Sequence, residues 1–186
     1  MNPESVATAA TAPDFVVEDL MVISGGAPGT RTLSFTVMGE PLVQQCHKIA
    51  WKGLIGGWKD RNKPIVYDPS ASLKKNYAAK VREAVVAMGL TPPFFASGYN
   101  DDGLIMELHF FLERPRSHYN VLGNRIRAAA PKYPKVKDVD NMEKFVSDAL
   151  HGVVYNNDNI IRKCQTEKAY SLEGPRFTKV VFRDYI

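Results

Sequence analysis

Between residues 138 and 161 the chain reads DVDNMEKFVSDALHGVVYNNDNII, and the spacing of its apolar residues leaves little choice of local fold. Val139, Met142, Val146, Ala149 and Leu150 recur at three- and four-residue steps, which predicts one apolar face on a helix over about 139–151. Gly152 stands where a helix stop belongs. Residues 153–155 are a short apolar run that reads as a strand, and residues 160–170 as another. A helix delivered into a strand within so few residues must pack on the sheet that strand joins.

The rest of the chain supplies the sheet. Residues 32–38 (TLSFTVM) alternate polar and apolar and read as a first core strand, and residues 104–112 (LIMELHFFL) as a second. Residues 65–67 are a brief strand, and residues 177–182 the last. Asp68-Pro69-Ser70 opens another helix, whose apolar face is Leu73, Tyr77, Val81, Ala84, Val85 and Met88, with Lys74, Lys75, Lys80 and Arg82 mostly off it; Gly89 ends it. Residues 39–63 read as a long irregular stretch, and residues 113–137 as a basic loop. The order β-β-α-β-α-β-β predicts an α+β domain, a mixed β-sheet with two main helices packed against it. Residues 1–29, rich in Ala, Thr, Gly and Pro, read as a mobile N-terminal tail with a short added strand over 15–23. The folded domain is expected over 30–186.

Composition narrows the partners. The chain of 186 residues carries a net charge of +4, but residues 1–30 hold four acidic residues and no Lys or Arg, so the remainder has 24 basic against 16 acidic residues, a charge of +8. A basic body suits a polyanion, because neutralising phosphates releases counterions. The loop at 113–137 concentrates this charge in Arg114, Arg116, His118, Arg125, Arg127, Lys132, Lys135 and Lys137, with Tyr119 and Tyr133 interleaved. It is the best candidate for backbone phosphate contacts, and reads otherwise as a solvated basic loop. Trp51 and Trp58 could stack on bases or pack their loop onto the body. His109 reads as a sheet-face or core residue. Cys46 and Cys164 lie far apart and outside any CxxC pattern, which reads as reduced thiols in an intracellular protein, and no second Cys or His pair has zinc-ligand spacing. No run of about 18 apolar residues offers a membrane span, and no secretory leader or transit peptide is expected.

The chemistry gathers in the same run that fixes the fold. Asp138 and Asp140 stand two apart at the start of the helix, where partial positive charge and free N–H groups favour carboxylates and phosphate oxygens. Lys144 follows Asp140 by four residues on one helix face, and Asp148 continues the row. Asp158 falls just before the strand. Magnesium takes oxygen ligands, often one or two carboxylates with water and substrate phosphate. Asp138, Asp140 and Asp158 could supply them, with Lys144 as a cation for a scissile phosphate. The same residues allow plainer roles: Asp138 or Asp140 as a helix cap, Asp140, Lys144 and Asp148 as a surface ion-pair ladder, and residues 156–159 (NNDN) as a hairpin turn.

The whole run closely resembles the signature of the RusA family of Holliday junction resolvases. The matching residues are Asp138, Asp140, Asn141, Lys144, Asp148, Ala149, Leu150, Gly152, Val153 and Asp158. The resemblance extends more faintly to Gly39 and Pro41, to Tyr67-Asp68-Pro69, and to Arg114-Pro115. It implies an endodeoxyribonuclease that uses magnesium, or manganese in its place, and resolves four-way DNA junctions by paired strand cleavage in recombination and repair. Asp138, Asp140 and Asp158 would be its metal ligands and Lys144 its catalytic lysine. Two cuts across a two-fold substrate imply a homodimer. The setting implied is intracellular, cytoplasmic in a prokaryote or virus. The chain departs from the pattern at Asn157, which replaces the first acid of a final pair, and at His151, where the family often has Asn. Residues 42–48 (LVQQCHK) hold a single Lys where the family has a basic run. Two alternatives stay open: a non-catalytic DNA-binding protein of the same fold, and a nuclease of other branched DNA.

Overall fold

The computed structural model describes residues 15–24, 31–51, 64–95, 103–123, 125–171 and 175–185. Its elements are β1 (Val16–Ser24), β2 (Arg31–Met38), β3 (Lys48–Trp51), β4 (Pro64–Tyr67), α1 (Ala71–Ala87), β5 (Leu104–Leu112), α2 (Val139–Leu150), β6 (Ile161–Tyr170) and β7 (Phe177–Asp184). Five strands form one mixed sheet in the order β1-β2-β7-β5-β6, and β3 pairs with β4 in a separate two-stranded sheet. The α+β architecture expected from the sequence is the one observed. Within the large sheet only β5 and β6 are parallel. That pairing needs a crossover, and α2 provides it.

Burial alternates strictly along β5: Leu104, Met106, Leu108, Phe110 and Leu112 are buried, while the residues between them face the other way. Leu33, Phe35 and Val37 of β2 and Val180 and Phe182 of β7 join the same buried face. Against it pack Tyr77, Val81 and Val85 of α1 and Met142, Phe145, Val146, Ala149 and Leu150 of α2. Edge-to-face ring contacts run from Phe15 to Tyr77 (5.3 Å) and on to Phe145 (5.8 Å), joining the residue before β1 to both helices. The opposite face of the sheet is mixed, with Phe111 stacked on Phe177 at 4.3 Å, a Glu107–Arg183 ion pair and His109 Nδ1 at 2.6 Å from Glu167. His109 is thus a sheet-face residue, one of the two places expected for it.

Four local readings change. The added strand expected over 15–23 is β1, a full edge strand paired with β2; the tail expected over residues 1–14 and 25–29 lies outside the described residues. The stretch 39–63 is not wholly irregular, because β3 pairs with β4; residues 52–63, with Trp58, lie outside the described residues. Residues 153–155 form a buried turn rather than a strand. Gly152, at φ +76°, reverses the chain, its N–H donates to the Tyr155 carbonyl at 2.7 Å, and Val153, Val154 and Tyr155 fill the core beyond the helix end. Met88, expected on the apolar face, is 46% exposed, because α1 ends one residue before it.

Gly103 enters β5 at φ +85°, and a Cβ there would meet Arg162 Cβ and the Ile160 carbonyl at 3.0 Å each. Gly103→Ala is expected to destabilise the protein by about 1–3 kcal/mol, since strain and crowding add at one position. Urea unfolding of the two proteins measures it.

Candidate active site

The crossover fixes where the acidic residues go. A helix joining two parallel strands runs antiparallel to both, so the start of α2 lies at the C-terminal end of β6 and its last turns near the N-terminal end. Three side-chain bonds record this direction. Lys168, late in β6, donates to the Lys137 carbonyl at 2.6 Å. Thr166 donates to the Glu143 carboxylate at 2.7 Å. Tyr155, ahead of β6, donates to the Ser147 carbonyl at 2.8 Å, with Ser147 Oγ equally close.

Asp138 and Asp140 therefore mark one end of this face. Both are exposed, and neither side chain has a hydrogen-bond or ion-pair partner among the described residues. Asp138 occupies the N-cap position with extended backbone, yet makes no side-chain cap bond. The capping role left open by the sequence is not realised. Lys144, one turn on, is exposed and has no ion-pair partner among the described residues. The ladder from Asp140 through Lys144 to Asp148 does not form, because Asp148 accepts instead from Lys74 of α1 at 3.0 Å.

Asp158 marks the other end. Residues 156–159 make no hairpin: Asp158–Ile160 is one 3-10 turn, braced by Asn157 Oδ1 accepting from the Asn159 N–H at 3.0 Å. Asp158 lies beside the buried Tyr155 hydroxyl. Burial chiefly, with help from the Asp158 and Asp148 charges, raises the Tyr155 pKa, against the opposing hydrogen bond to Ser147. Asp140 and Ser147 are seven helical residues apart, about 10 Å along the axis at 1.5 Å per residue. Among the described residues no three His, Cys, Asp or Glu side chains stand close enough to hold one metal ion. For the group itself the donor chemistry fits, since Asp138 and Asp140 are hard oxygen ligands, exposed and unengaged.

Asp68, Lys74 and Asp148 form an ionic cluster that the site expectations missed. Lys74 Nζ lies 2.5 Å from Asp68 and 3.0 Å from Asp148, with its side chain only 16% exposed. Asp68 also accepts from the Ser70 N–H at 2.8 Å and from the Gln44 amide at 3.1 Å. Burial works to raise the Asp68 pKa, but Lys74, Ser70 and Gln44 together lower it to about 2. Both carboxylates raise the Lys74 pKa against the opposing effect of its burial. A signal was present: Lys74 shares a helix stripe with Tyr77, Val81 and Val85, and a cation on a buried stripe needs a partner.

The basic loop divides into two groups. Arg114 stacks on Tyr170 at 4.0 Å and donates to the Pro131 carbonyl at 2.9 Å. His118 sets its ring edge-on to Tyr170 at 5.7 Å. Lys137 donates to Glu40 at 2.5 Å and to the Pro41 carbonyl at 2.6 Å. These three hold the loop itself. Arg116, Arg125, Arg127, Lys132 and Lys135 are exposed. Bonds from Asn120 N–H to the Arg125 carbonyl (2.8 Å) and from Arg127 N–H to the His118 carbonyl (2.9 Å) hold a hairpin whose tip carries Val121 and Leu122, 94% and 81% exposed.

An α+β domain whose crossover helix opens on two unengaged carboxylates beside a basic loop has the makings of an enzyme of phosphate chemistry. A family model described as endodeoxyribonuclease RusA matches residues 56–180, and the chain belongs to that family. No curated protein matches it. The family places the chain among nucleases with DNA as substrate. No helix among the described residues is long and apolar enough to cross a membrane.

Proposed function

We propose that this protein is a magnesium-dependent endonuclease that resolves four-way DNA junctions, acting as a homodimer in recombination and repair. The observation that carries the reading is the unengaged Asp138–Asp140 pair at the start of α2 in a chain of the RusA family. Asp138 and Asp140 would hold the cation, with Asp158 the third carboxylate of the signature. Bound there, the ion would supply Lewis acidity, activating a water and offsetting charge on the phosphodiester.

The chain's own groups do the rest. The first N–H groups of α2 carry no intrahelical partners and favour phosphate oxygens. Lys144, without a carboxylate partner among the described residues, presents an ammonium for charge developing on the scissile phosphate. Arg116, Arg125, Arg127, Lys132 and Lys135 would grip backbone phosphates, and the apolar hairpin tip suits the base faces that a branch point leaves unstacked. The folded domain is taken to include β1 as an added edge strand, since Phe15 and β1 pack with the core.

Lys144→Ala is expected to cut the cleavage rate by ~10²–10³-fold while leaving stability within about 0.5 kcal/mol, as for loss of one transition-state contact at an exposed residue. Single-turnover cleavage and thermal melting measure both. The test of the reading itself is incubation with a synthetic four-way junction, with and without magnesium, mapping products on a sequencing gel. Paired cuts that require the metal are expected. Binding without cutting would leave a non-catalytic junction binder, and equal cutting of flaps or single strands would leave a nuclease of wider substrate range.

A further inference from the structure

Lys137, the residue directly before Asp138, has φ +59°. A long side chain seldom adopts that left-handed backbone, and it persists only where its surroundings impose it. Two sets of contacts do so. The Lys137 ammonium is held by Glu40 and the Pro41 carbonyl, and Arg176 braces Glu40 from behind at 2.6 Å while also pairing with Glu113 at 2.7 Å. From the other side Lys168 of β6 donates to the Lys137 carbonyl at 2.6 Å and to the Val136 carbonyl at 3.1 Å.

The second contact matters most for the site. The Lys137 carbonyl belongs to the same rigid peptide plane as the Asp138 N–H. Fixing that oxygen holds the plane, and with Asp138 at φ −68° the held plane sets the direction in which its side chain leaves the backbone. Asp138 has no cap bond of its own to orient it. Glu40 and the Pro41 carbonyl thus both supply acceptors for Lys137.

We propose that Lys168 is a positioning residue for Asp138: by holding the Val136 and Lys137 carbonyls it sustains the left-handed Lys137 and aims the Asp138 carboxylate at its cation. The proposal rests on the reading of Asp138 as a metal ligand. Groups that orient metal ligands typically change affinity by about 10–100-fold when removed.

The test uses the full chain and Mn²⁺ as probe. Calorimetric titration without DNA is compared for the parent, Asp138→Asn, Lys168→Met and Lys168→Gln. Lys168→Met is expected to raise the Mn²⁺ Kd by ~10–100-fold, and to raise the magnesium needed for half-maximal junction cleavage by a similar factor. Lys168→Gln, which keeps a neutral donor, is expected to raise both by at least ~3-fold, and it decides the matter if the methionine variant does not fold. Junction binding without metal should stay within about 2-fold of the parent, because the phosphate contacts lie elsewhere. A folded variant with lowered melting temperature but parental Mn²⁺ Kd and magnesium dependence would show a purely structural lysine and overturn the proposal. If the parent binds Mn²⁺ and Asp138→Asn weakens it while the Lys168 variants match the parent, the positioning role alone falls. If Asp138→Asn binds Mn²⁺ as the parent does, the ligand reading falls, and the positioning role with it.

Discussion

Asp140→Asn is expected to give a folded protein that still binds a four-way junction and no longer cuts it. Asn keeps the shape of Asp and loses the charge. Asp140 is exposed in the first turn of α2 and has no partner among the described residues, so the only stabilisation at risk is its attraction to the helix N-terminus, about 0.3–1 kcal/mol. A hard cation, by contrast, depends on anionic oxygen, and a neutral amide in place of one of two adjacent carboxylates removes much of the site's charge. Cleavage should fall by at least ~10²-fold, the scale set by loss of a single preorganised charge contact, and by more if the ion is lost. Junction binding measured without metal should hold or tighten slightly, because one negative charge near the phosphates has gone. Single-turnover cleavage, gel shift in EDTA and thermal melting together decide it. Cutting at the parental rate would remove Asp140 from the machinery. Asp158→Asn makes the instructive comparison. A drop in both cleavage and Mn²⁺ affinity would make it a ligand, whereas lost cleavage with unchanged metal affinity would tie it to its place beside Tyr155.

What could be read from the sequence followed the strength of periodic patterns. Helix α2 was legible because Met142, Val146, Ala149 and Leu150 mark one stripe and Gly152 closes it. Strand β5 was legible because its nine residues are mostly large and apolar. Residues 153–155 were misread because three apolar residues look alike in a buried turn and in a strand; only the positive φ of Gly152 separates the two. The direction of α2 lay beyond sequence spacing, because it depends on α2 crossing between two parallel strands and so running back along β6. The grip of Lys168 on residues 136 and 137 was invisible for the same kind of reason: a lysine bonded to main-chain carbonyls some thirty residues away leaves no pattern. Of the eight basic-loop residues named as DNA contacts, Arg114, His118 and Lys137 turned inward. Their neighbours Tyr170 and Glu40 come from distant parts of the chain, and no local signal marks such pairings.

Lys74→Met should be the most destabilising change to a charged residue near the site. Lys74 stands between Asp68 and Asp148 and is largely shielded from water, so its removal leaves two carboxylates facing the gap without a cation. Breaking a shielded pair from one side costs about 3–5 kcal/mol when fully buried, and the partial exposure here brings the expected loss to about 2–3 kcal/mol at neutral pH. Acid should shrink that loss. The Asp68 pKa is lowered in the folded protein to about 2 from an ordinary 3.8, so its contribution is fully present above about pH 4 and disappears as pH falls toward 2. Without Lys74, the burial of Asp68 is opposed only by Ser70 and Gln44, its folded pKa rises, and protonation then relieves the variant rather than harming it. The two proteins should therefore converge in stability between about pH 4 and pH 2, with the variant losing less than the parent over that window. Urea unfolding at about pH 7 and about pH 2.5 measures the convergence. A difference independent of pH would mean that Lys74 acts through packing of its stem alone. Since Asp148 neighbours Ser147, to which Tyr155 bonds beside Asp158, the same variant should slow cleavage even where it is fully folded, and Asp68→Asn, which spares the Lys74–Asp148 contact, should slow it less.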